Sequence, residues 1–167
     1  MTILWKEKRI MEINRKNIAV ENAHIRYRNF SGEEKTFNPQ GRRNFTLMLD
    51  EEARDAFLKE GYNVRTIQPR DENSDPEYSL EVTVSFRNKP PRIWQITSRN
   101  KVLLTEETVG DLDYAEIANI DLTISPYPWT MPGGRSGVKA YLASMYVTLV
   151  EDEFFDKYAD IPSSGGR

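Results

Sequence analysis

Apolar and polar residues alternate with a period of two through most of this chain, a pattern typical of half-buried β-strands. The clearest example is residues 78–86, whose Tyr, Leu, Val, Val and Phe positions alternate with Ser, Glu, Thr and Ser. The same pattern predicts strands at residues 18–30, 44–49, 63–68, 92–97, 117–126 and 138–150, with a short apolar run at 101–104. The sequence therefore predicts a mainly β fold of roughly seven short strands.

Two of these strands carry specific expectations about burial. In the first, Ala23, Ile25 and Tyr27 fall on one face, which we expect to be buried, while the other face carries a histidine and two arginines. In residues 138–150 both faces are rich in apolar side chains. We therefore expect both faces of that strand to be largely buried.

One α-helix is predicted to begin after Asp50 and to end at Gly61. Asp50 is a favourable N-cap, and the two glutamates that follow it suit the positive end of the helix dipole. Ala53, Ala56 and Phe57 provide the apolar side chains of the helix. We expect this face to pack against the core.

Few other features interrupt the strands. A Thr-Glu-Glu-Thr cap pattern predicts a helical turn within residues 105–115, and the chain has no glycine-rich phosphate-binding motif. An antiparallel barrel or sandwich is the natural class for short strands with one helix. Residues 18–150 are expected to form this domain, with an N-terminal extension at 1–17 and an acidic and aromatic tail at 151–167.

Composition excludes several kinds of chemistry. The 167 residues include no cysteine and one histidine, so disulfides and cysteine zinc sites are excluded and histidine-dependent hydrolysis is disfavoured. Metal-dependent cleavage needs converging carboxylates, but Glu81 stands alone on its strand. We expect no catalytic residue, no metal and no cofactor.

Charge is segregated along the chain. The net charge is −3, yet residues 1–48 carry ten basic and five acidic side chains, and residues 87–101 carry five basic side chains and no acid. Residues 106–121 carry six acids and no base. Because phosphates respond to local potential, the net charge does not exclude a polyanionic partner. No apolar run is long enough to span a membrane, and the first nine residues lack the apolar segment of a signal peptide, so we expect a cytoplasmic protein.

Two windows place aromatic rings beside basic side chains. Residues 37–45 hold Arg42 and Arg43 between two phenylalanines, either as a nucleic-acid contact or as a hairpin with solvated arginines and core rings. Residues 87–101 combine Trp94 with the basic side chains listed below. If Ile93 faces inward, Trp94 faces outward; the opposite strand register would bury Trp94.

A third window, residues 127–137, is rich in proline and glycine, and we expect it to be a binding loop without regular structure. It presents a tyrosine, a tryptophan and an arginine. Alternatively, Trp129 folds back over the end of the barrel as a lid. Lys139 and Tyr141 are two apart on the following strand, so they share a face and would continue the same surface.

Non-specific binding of single-stranded nucleic acid requires aromatic rings that stack on the bases and cations that neutralise the phosphates. The candidate phosphate contacts are Arg42, Arg43, Arg92, Arg99, Lys101, Arg135 and Lys139, with Arg26 and Arg28 as second-rank candidates, and the candidate stacking residues are Trp94, Tyr127, Trp129 and Tyr141. The tail has two interpretations. It is either a terminal helix that docks its rings on the barrel or a mimic of DNA whose carboxylates occupy the basic groove.

Five short segments resemble those of bacteriophage and prophage single-stranded DNA-binding proteins: residues 29–32, 37–45, 67–71, 137–142 and 150–154. The resemblance implies an OB-fold barrel that coats single-stranded DNA in the host cytoplasm during phage DNA replication and recombination, with an acidic C-terminal tail that regulates binding. This chain departs from the pattern by ending in Ser-Ser-Gly-Gly-Arg, and its first 16 residues lie outside the resemblance.

These observations together predict an OB-fold-like antiparallel barrel with additional strands and a short α-helix, which binds single-stranded DNA without catalysis and with little sequence preference. The tail is a candidate contact for replication or recombination proteins, and self-association is left open. Two alternatives are kept. One is a phage structural or assembly module without nucleic-acid affinity, and the other is a nuclease or annealing enzyme.

Overall fold

The computed structural model describes residues 16–87 and 89–162. The described part contains nine strands, one α-helix of nine residues, a 3₁₀ helix and a terminal helical turn. The strands are β1 (Ile18–Val20), β2 (His24–Asn29), β3 (Arg43–Leu49), β4 (Arg65–Ile67), β5 (Glu77–Val84), β6 (Arg92–Ile96), β7 (Lys101–Leu104), β8 (Ile117–Thr130) and β9 (Ser136–Leu149). The helices are α1 (Glu51–Lys59), the 3₁₀ helix (Val109–Asp113) and α2 (Phe155–Tyr158).

The strands form a sheet that curls back on itself. Its main path runs β1-β8-β9-β5-β3-β2, with β4 paired to β5, and with β6 between β7 and β9. The two ends of the path, β1 and β2, are consecutive segments of one bent strand, and at the bend the Ala23 amide donates to the Ile120 carbonyl at 2.7 Å. The sheet is therefore a partly open barrel with five strand positions, in agreement with the predicted OB-like class.

The prediction of a wholly antiparallel barrel was wrong in one respect. Strands β5 and β6 both pair with β9 in parallel, whereas the other pairs are antiparallel. The chain between β5 and β9 is long enough to cross over and return in the same direction, so no tight hairpin imposes an antiparallel arrangement.

The barrel interior is filled by the alternating apolar residues that the sequence indicated. Phe45 and Leu47 from β3 and Val82 from β5 are almost completely buried, as are Ile124 from β8 and Val147 from β9. The α-helix covers the end of this core, because Phe57 is fully buried and its ring meets the Tyr62 ring edge-on at 5.1 Å between centroids.

The helix prediction is confirmed, including its cap. The Asp50 carboxylate accepts a hydrogen bond from the Ala53 amide at 2.7 Å, which satisfies one of the unpaired donors of the first turn. Gly61 follows the helix in the left-handed conformation, with φ 89°. The expected apolar face was wrong for Ala56, which is exposed, because a helix this short touches the barrel along only one side.

The first predicted strand is two strands, and its buried face was wrong for Tyr27. A bend at residues 21–23 separates β1, which pairs with β8, from β2, which pairs with β3. The pairing of β2 then shifts between Arg26 and Asn29, and Tyr27 in this bulge is 79% exposed. An extra residue in one strand turns the following side chain to the other face, so the period-two pattern fails there.

Residues 127–137 are not an irregular loop. Strands β8 and β9 continue as a two-stranded ribbon to Thr130 and from Ser136, joined by a turn in which the Met131 amide donates to the Arg135 carbonyl at 2.7 Å. Pro126 and Pro128 lack amide donors, but they are two residues apart, so both gaps lie on the same side of the strand. In the part of the chain that the structure describes, β1 pairs with β8 only at residues 122–124, which leaves the prolines on an edge.

The burial of β9 and of the tail differs from what the sequence predicted. Lys139 and Tyr146 are exposed, so only one face of β9 is fully buried. Phe154 and Tyr158 are each 54% exposed, so neither ring is buried in the core. No helix among the described residues is long and apolar enough to cross a membrane. Residues 1–15 of the expected extension at 1–17, and residues 163–167 of the tail, lie outside the described residues.

One buried side chain organises the loop between β2 and β3. Asn29 is only 2% exposed, and its carbonyl oxygen accepts from the Gly32 and Glu33 amides at 3.0 and 3.1 Å. Its amide nitrogen donates to the Glu33 carbonyl at 3.0 Å. These hydrogen bonds fix the conformation of the first residues of the loop.

We predict that Asn29→Ala lowers the free energy of unfolding by about 2 kcal/mol, because it leaves buried backbone groups without partners. Urea denaturation measures the effect. Asn73→Ala, on an exposed loop, is the control and should change stability by less than about 0.5 kcal/mol. Equal effects of the two substitutions would contradict the anchoring role.

Candidate nucleic-acid interface

The outer face of the barrel is continuous across five neighbouring strands, from β2 through β3, β5 and β9 to β8. Residues opposite one another share a face, so the pairing places side chains in rows across this surface. Thr46 lies between Arg26 and Glu81 in one row, and in the next Thr83 lies beside Tyr141. These side chains point away from the core.

Three aromatic rings and a lysine cluster at the β8 end of this face. The Tyr127 and Tyr141 rings meet edge-on with centroids 5.3 Å apart, and the Lys139 ammonium lies 5.4 Å from the Tyr141 ring. Trp129 is two residues beyond Tyr127, on the same side of the ribbon. We call Tyr127, Trp129 and Tyr141 the aromatic cluster.

The Trp129 ring packs against its cross-strand partner, Gly137. A Cβ atom on Gly137 would be 2.8 Å from the Trp129 ring, closer than two carbon atoms can approach. Only glycine permits this packing, which covers the ribbon backbone with the indole and holds the ring in place. The Trp129 ring therefore lies on the ribbon and does not form a lid over the end of the barrel.

Two adjoining clefts run along the outer face and together form what we call the groove. The smaller, of about 160 Å³, is lined by Arg42, Arg65, Glu81, Trp129 and Lys139 among others. The larger, of about 750 Å³, shares the first three of these residues and extends towards β2, where Tyr27, Lys35 and Phe37 line it. The groove thus joins the aromatic cluster to the β2 end of the sheet.

Cations outnumber acids in this groove. Lys35, Arg42, Arg65 and Lys139 line it, and of the described residues Glu81 is the one carboxylate that does so. Arg42 pairs with Glu81 at 2.6 Å between nitrogen and oxygen. Because both side chains are well exposed, water screens this pair and it contributes little to stability.

Arg43 has internal partners. Its side chain is 17% exposed and donates to the Phe30 carbonyl at 2.9 Å, with the Glu106 carboxylate 3.3 Å away and the Phe86 ring centroid at 5.5 Å. Neighbouring residues on a strand face opposite ways, so the Asn44 side chain lines the groove and the Arg43 side chain points away from it. The adjacent arginines that the sequence grouped together therefore have different surroundings.

The other first-rank candidate residues lie elsewhere on the barrel. Ile93 is fully buried, which settles the orientation of β6 and places Trp94 on the outer side beside Tyr146. The Lys101 ammonium lies 4.5 Å from the Trp94 ring. We call Arg92, Trp94, Lys101 and Tyr146 the β6–β7 patch. Arg99 lies in the turn between β6 and β7, and Arg135 lies in the ribbon turn.

Four aromatic or basic residues of the groove were not among the predicted site residues: Tyr27, Lys35, Phe37 and Arg65. Tyr27 was assigned to the core, and the only sequence signal for it is its position between two arginines. Phe37 has a clearer signal, since it is an isolated ring in a polar loop. Among the described residues no group of three or more His, Asp or Glu side chains could hold a metal ion.

Comparison with protein families gives a match over almost the whole chain. The model of the phage ssDNA-binding domain matches residues 7–166. This chain belongs to that family. A comparison with curated proteins found no match.

The fold of this phage ssDNA-binding domain is similar to those of solved structures. The single-stranded DNA-binding protein from bacteriophage Enc34, in complex with ssDNA, is 13% identical with a TM-score of 0.53, over 83% of this chain and 89% of that one. A C-terminal truncation of the same protein is 13% identical with a TM-score of 0.50, over 81% and 87%. Bacteriophage T7 gp2.5, at 14% identity over 91% and 97%, has a TM-score of 0.40. At these identities the first two show a shared fold.

For this domain we predict that Gly137→Ala displaces the Trp129 ring and lowers the free energy of unfolding by about 1–3 kcal/mol, as expected for overpacking. The indole signal of Trp129 in an NMR spectrum should shift. With Trp129→Leu as the background, the same alanine should cost much less. An equal cost in both backgrounds would contradict the contact.

Proposed function

We propose that this protein binds single-stranded DNA in the groove without catalysis, as a coating protein in phage DNA replication and recombination. The observation that carries the proposal is the placement of the aromatic cluster and four cations on one open face of the barrel. The bases stack on Tyr127, Trp129 and Tyr141, and the phosphates lie along the cations Lys35, Arg42, Arg65 and Lys139. Family membership supports this substrate class.

The dimensions of the face suit a single strand. From β2 to β8 the groove crosses four spacings between strands, or about 19 Å. This width is enough for several nucleotides lying across the strands, within the site sizes of OB folds. Stacking accepts any base, so we expect little sequence preference. A duplex hides its bases, so the aromatic cluster would gain nothing from it.

The other predicted contacts have secondary roles in this proposal. The β6–β7 patch, with Arg99, contacts DNA that has left the groove, and Arg135 contacts a phosphate near the ribbon turn. Arg43 supports the loop that carries Arg42. The tail remains a candidate contact for replication or recombination proteins, and Glu151 at its start accepts hydrogen bonds from the Ser98 amide at 3.0 and 3.1 Å.

We predict that the full chain binds an oligo-dT of about 30 nucleotides more tightly than a duplex of equal length, with quenching of tryptophan fluorescence. Four neutralised phosphates should give a slope of log affinity against log salt of about −3. Trp129→Leu should remove most of the quenching. Trp94→Leu should remove less.

A flat salt response would contradict phosphate binding in the groove. If the full chain does not bind, the same titration is made with a chain that ends at Val150, which lacks the acidic tail. Failure of both to bind would favour the assembly module. Loss of the oligonucleotide on addition of magnesium would instead reveal a nuclease.

We predict that Glu81→Gln tightens binding about 2- to 5-fold, because it releases Arg42 and removes a negative charge from the phosphate path. Arg42 is already counted among the four phosphate contacts, so Glu81→Gln should leave the salt slope nearly unchanged, whereas Arg42→Ala should make it shallower by about one contact. Glu77→Gln is the matched control, since Glu77 pairs with Arg26 at 2.8 Å and does not line the groove. Equal effects of the two glutamine variants would contradict a specific role for Glu81.

A further inference from the structure

Tyr27 has a backbone conformation that tyrosine rarely adopts. Its φ is 53°, in the left-handed region where the Cβ of an L residue crowds its own backbone. Burial does not compensate for this strain, because 79% of the residue is exposed. A strained position that gains no core packing requires another reason for an aromatic side chain.

The bulge in β2 brings two consecutive residues to the outer surface. Arg26 lies opposite Thr46 and faces out, so in a regular strand the next side chain would face the core. The shift in pairing between Arg26 and Asn29 turns Tyr27 outward instead. Tyr27 then lines the larger cleft of the groove together with Arg42 and others.

An ordered turn keeps the Phe37 side chain exposed to solvent. Lys35 and Asn38 exchange two backbone hydrogen bonds, at 2.8 and 3.0 Å, and the Asn38 amide side chain donates to the Arg42 carbonyl at 2.8 Å. Phe37 lies between them and is 93% exposed. A ring on a loop fixed in this way is presented to a partner at little further cost in conformational entropy.

We propose that Tyr27 and Phe37 form a base-stacking subsite for a nucleobase of single-stranded DNA, at the opposite end of the groove from the aromatic cluster. Both rings line one cleft, and Lys35, Arg42 and Arg65 line it with them, which supplies the cations that a sugar-phosphate backbone needs. Strands β3, β5 and β9 separate this subsite from Tyr127. The inference rests on the proposed function, and it means that a bound strand is held by rings at both ends of the groove.

The test separates stacking from charge and from folding. The variants are Tyr27→Gly, Tyr27→Phe and Phe37→Ala, with Tyr114→Ala as the control, because Tyr114 is 81% exposed and lies outside the groove. Each is titrated with oligo-dT and with an abasic oligonucleotide of the same length, which keeps the phosphates and lacks the bases. Melting temperatures are measured in parallel.

Tyr27→Gly and Phe37→Ala should weaken binding of oligo-dT about 5- to 150-fold, the usual range for loss of one base stack. Their affinity for the abasic strand should equal that of the unmodified protein, and Tyr27→Phe and Tyr114→Ala should bind oligo-dT normally. The melting temperature of Tyr27→Gly should not fall, because glycine adopts this backbone without strain.

Several results would overturn the subsite. In the first, Tyr27→Gly and Phe37→Ala bind oligo-dT as tightly as the unmodified protein does. Another is a melting temperature for Tyr27→Gly several degrees lower, with unchanged binding, since the tyrosine would then serve the fold. A third is an equal loss in Tyr114→Ala. If the unmodified protein itself fails to bind oligo-dT, the proposed function fails, and that outcome is distinct from the other three.

Discussion

The arrangement of this barrel depends on the double pairing of β9. One edge of β9 pairs with β8 over nearly its whole length, and the other edge pairs first with β5, at Ala140 and Tyr141, and then with β6, from Ser144. Between the two partners the buried positions change from even to odd numbers, since Leu142 and Met145 are both buried. This change of phase gives β9 two outward surfaces: Tyr141 belongs to the aromatic cluster and Tyr146 to the β6–β7 patch. The separation of the two surfaces is therefore a consequence of how the sheet closes.

The groove uses residues that ordinary strands avoid. Gly137 lacks the side chain that would displace the Trp129 ring, and Pro126 and Pro128 occupy an edge where no described strand needs their amides. Edge prolines also discourage another strand from pairing with the ribbon. Tyr27 accepts a strained backbone at the other end. Local departures from good strand sequence are thus concentrated around the surface that we assign to DNA.

The sequence predicted what depends on short-range regularity and missed what depends on pairing. Alternation identified β5, and the cap at Asp50 identified α1, because both signals arise within a few residues. The bulge at Tyr27 was missed because a bulge is defined by the partner strand. The proline- and glycine-rich segment at 127–137 was misassigned because its pairing with β9 outweighs local propensity. The OB class could be inferred, whereas the groove could be predicted only in part: Lys139 and Tyr141 share a strand, but Arg42 and Arg65 meet them through tertiary pairing.

The acidic net charge is compatible with a basic groove because many carboxylates have structural partners elsewhere. Asp113 accepts hydrogen bonds from the Phe30 and Ser31 amides at 2.6 and 3.1 Å, and Asp121 accepts one from the Asn22 amide at 3.0 Å. Glu106 pairs with Arg43 at 3.3 Å. These acids belong to the block at residues 106–121 and connect the bent first strand and its loop to β8 and to the segment that precedes β8. Affinity for a polyanion follows the charges within a Debye length of the phosphates, so the acidic sum over the chain does not exclude a polyanion at a groove lined by four cations and Glu81.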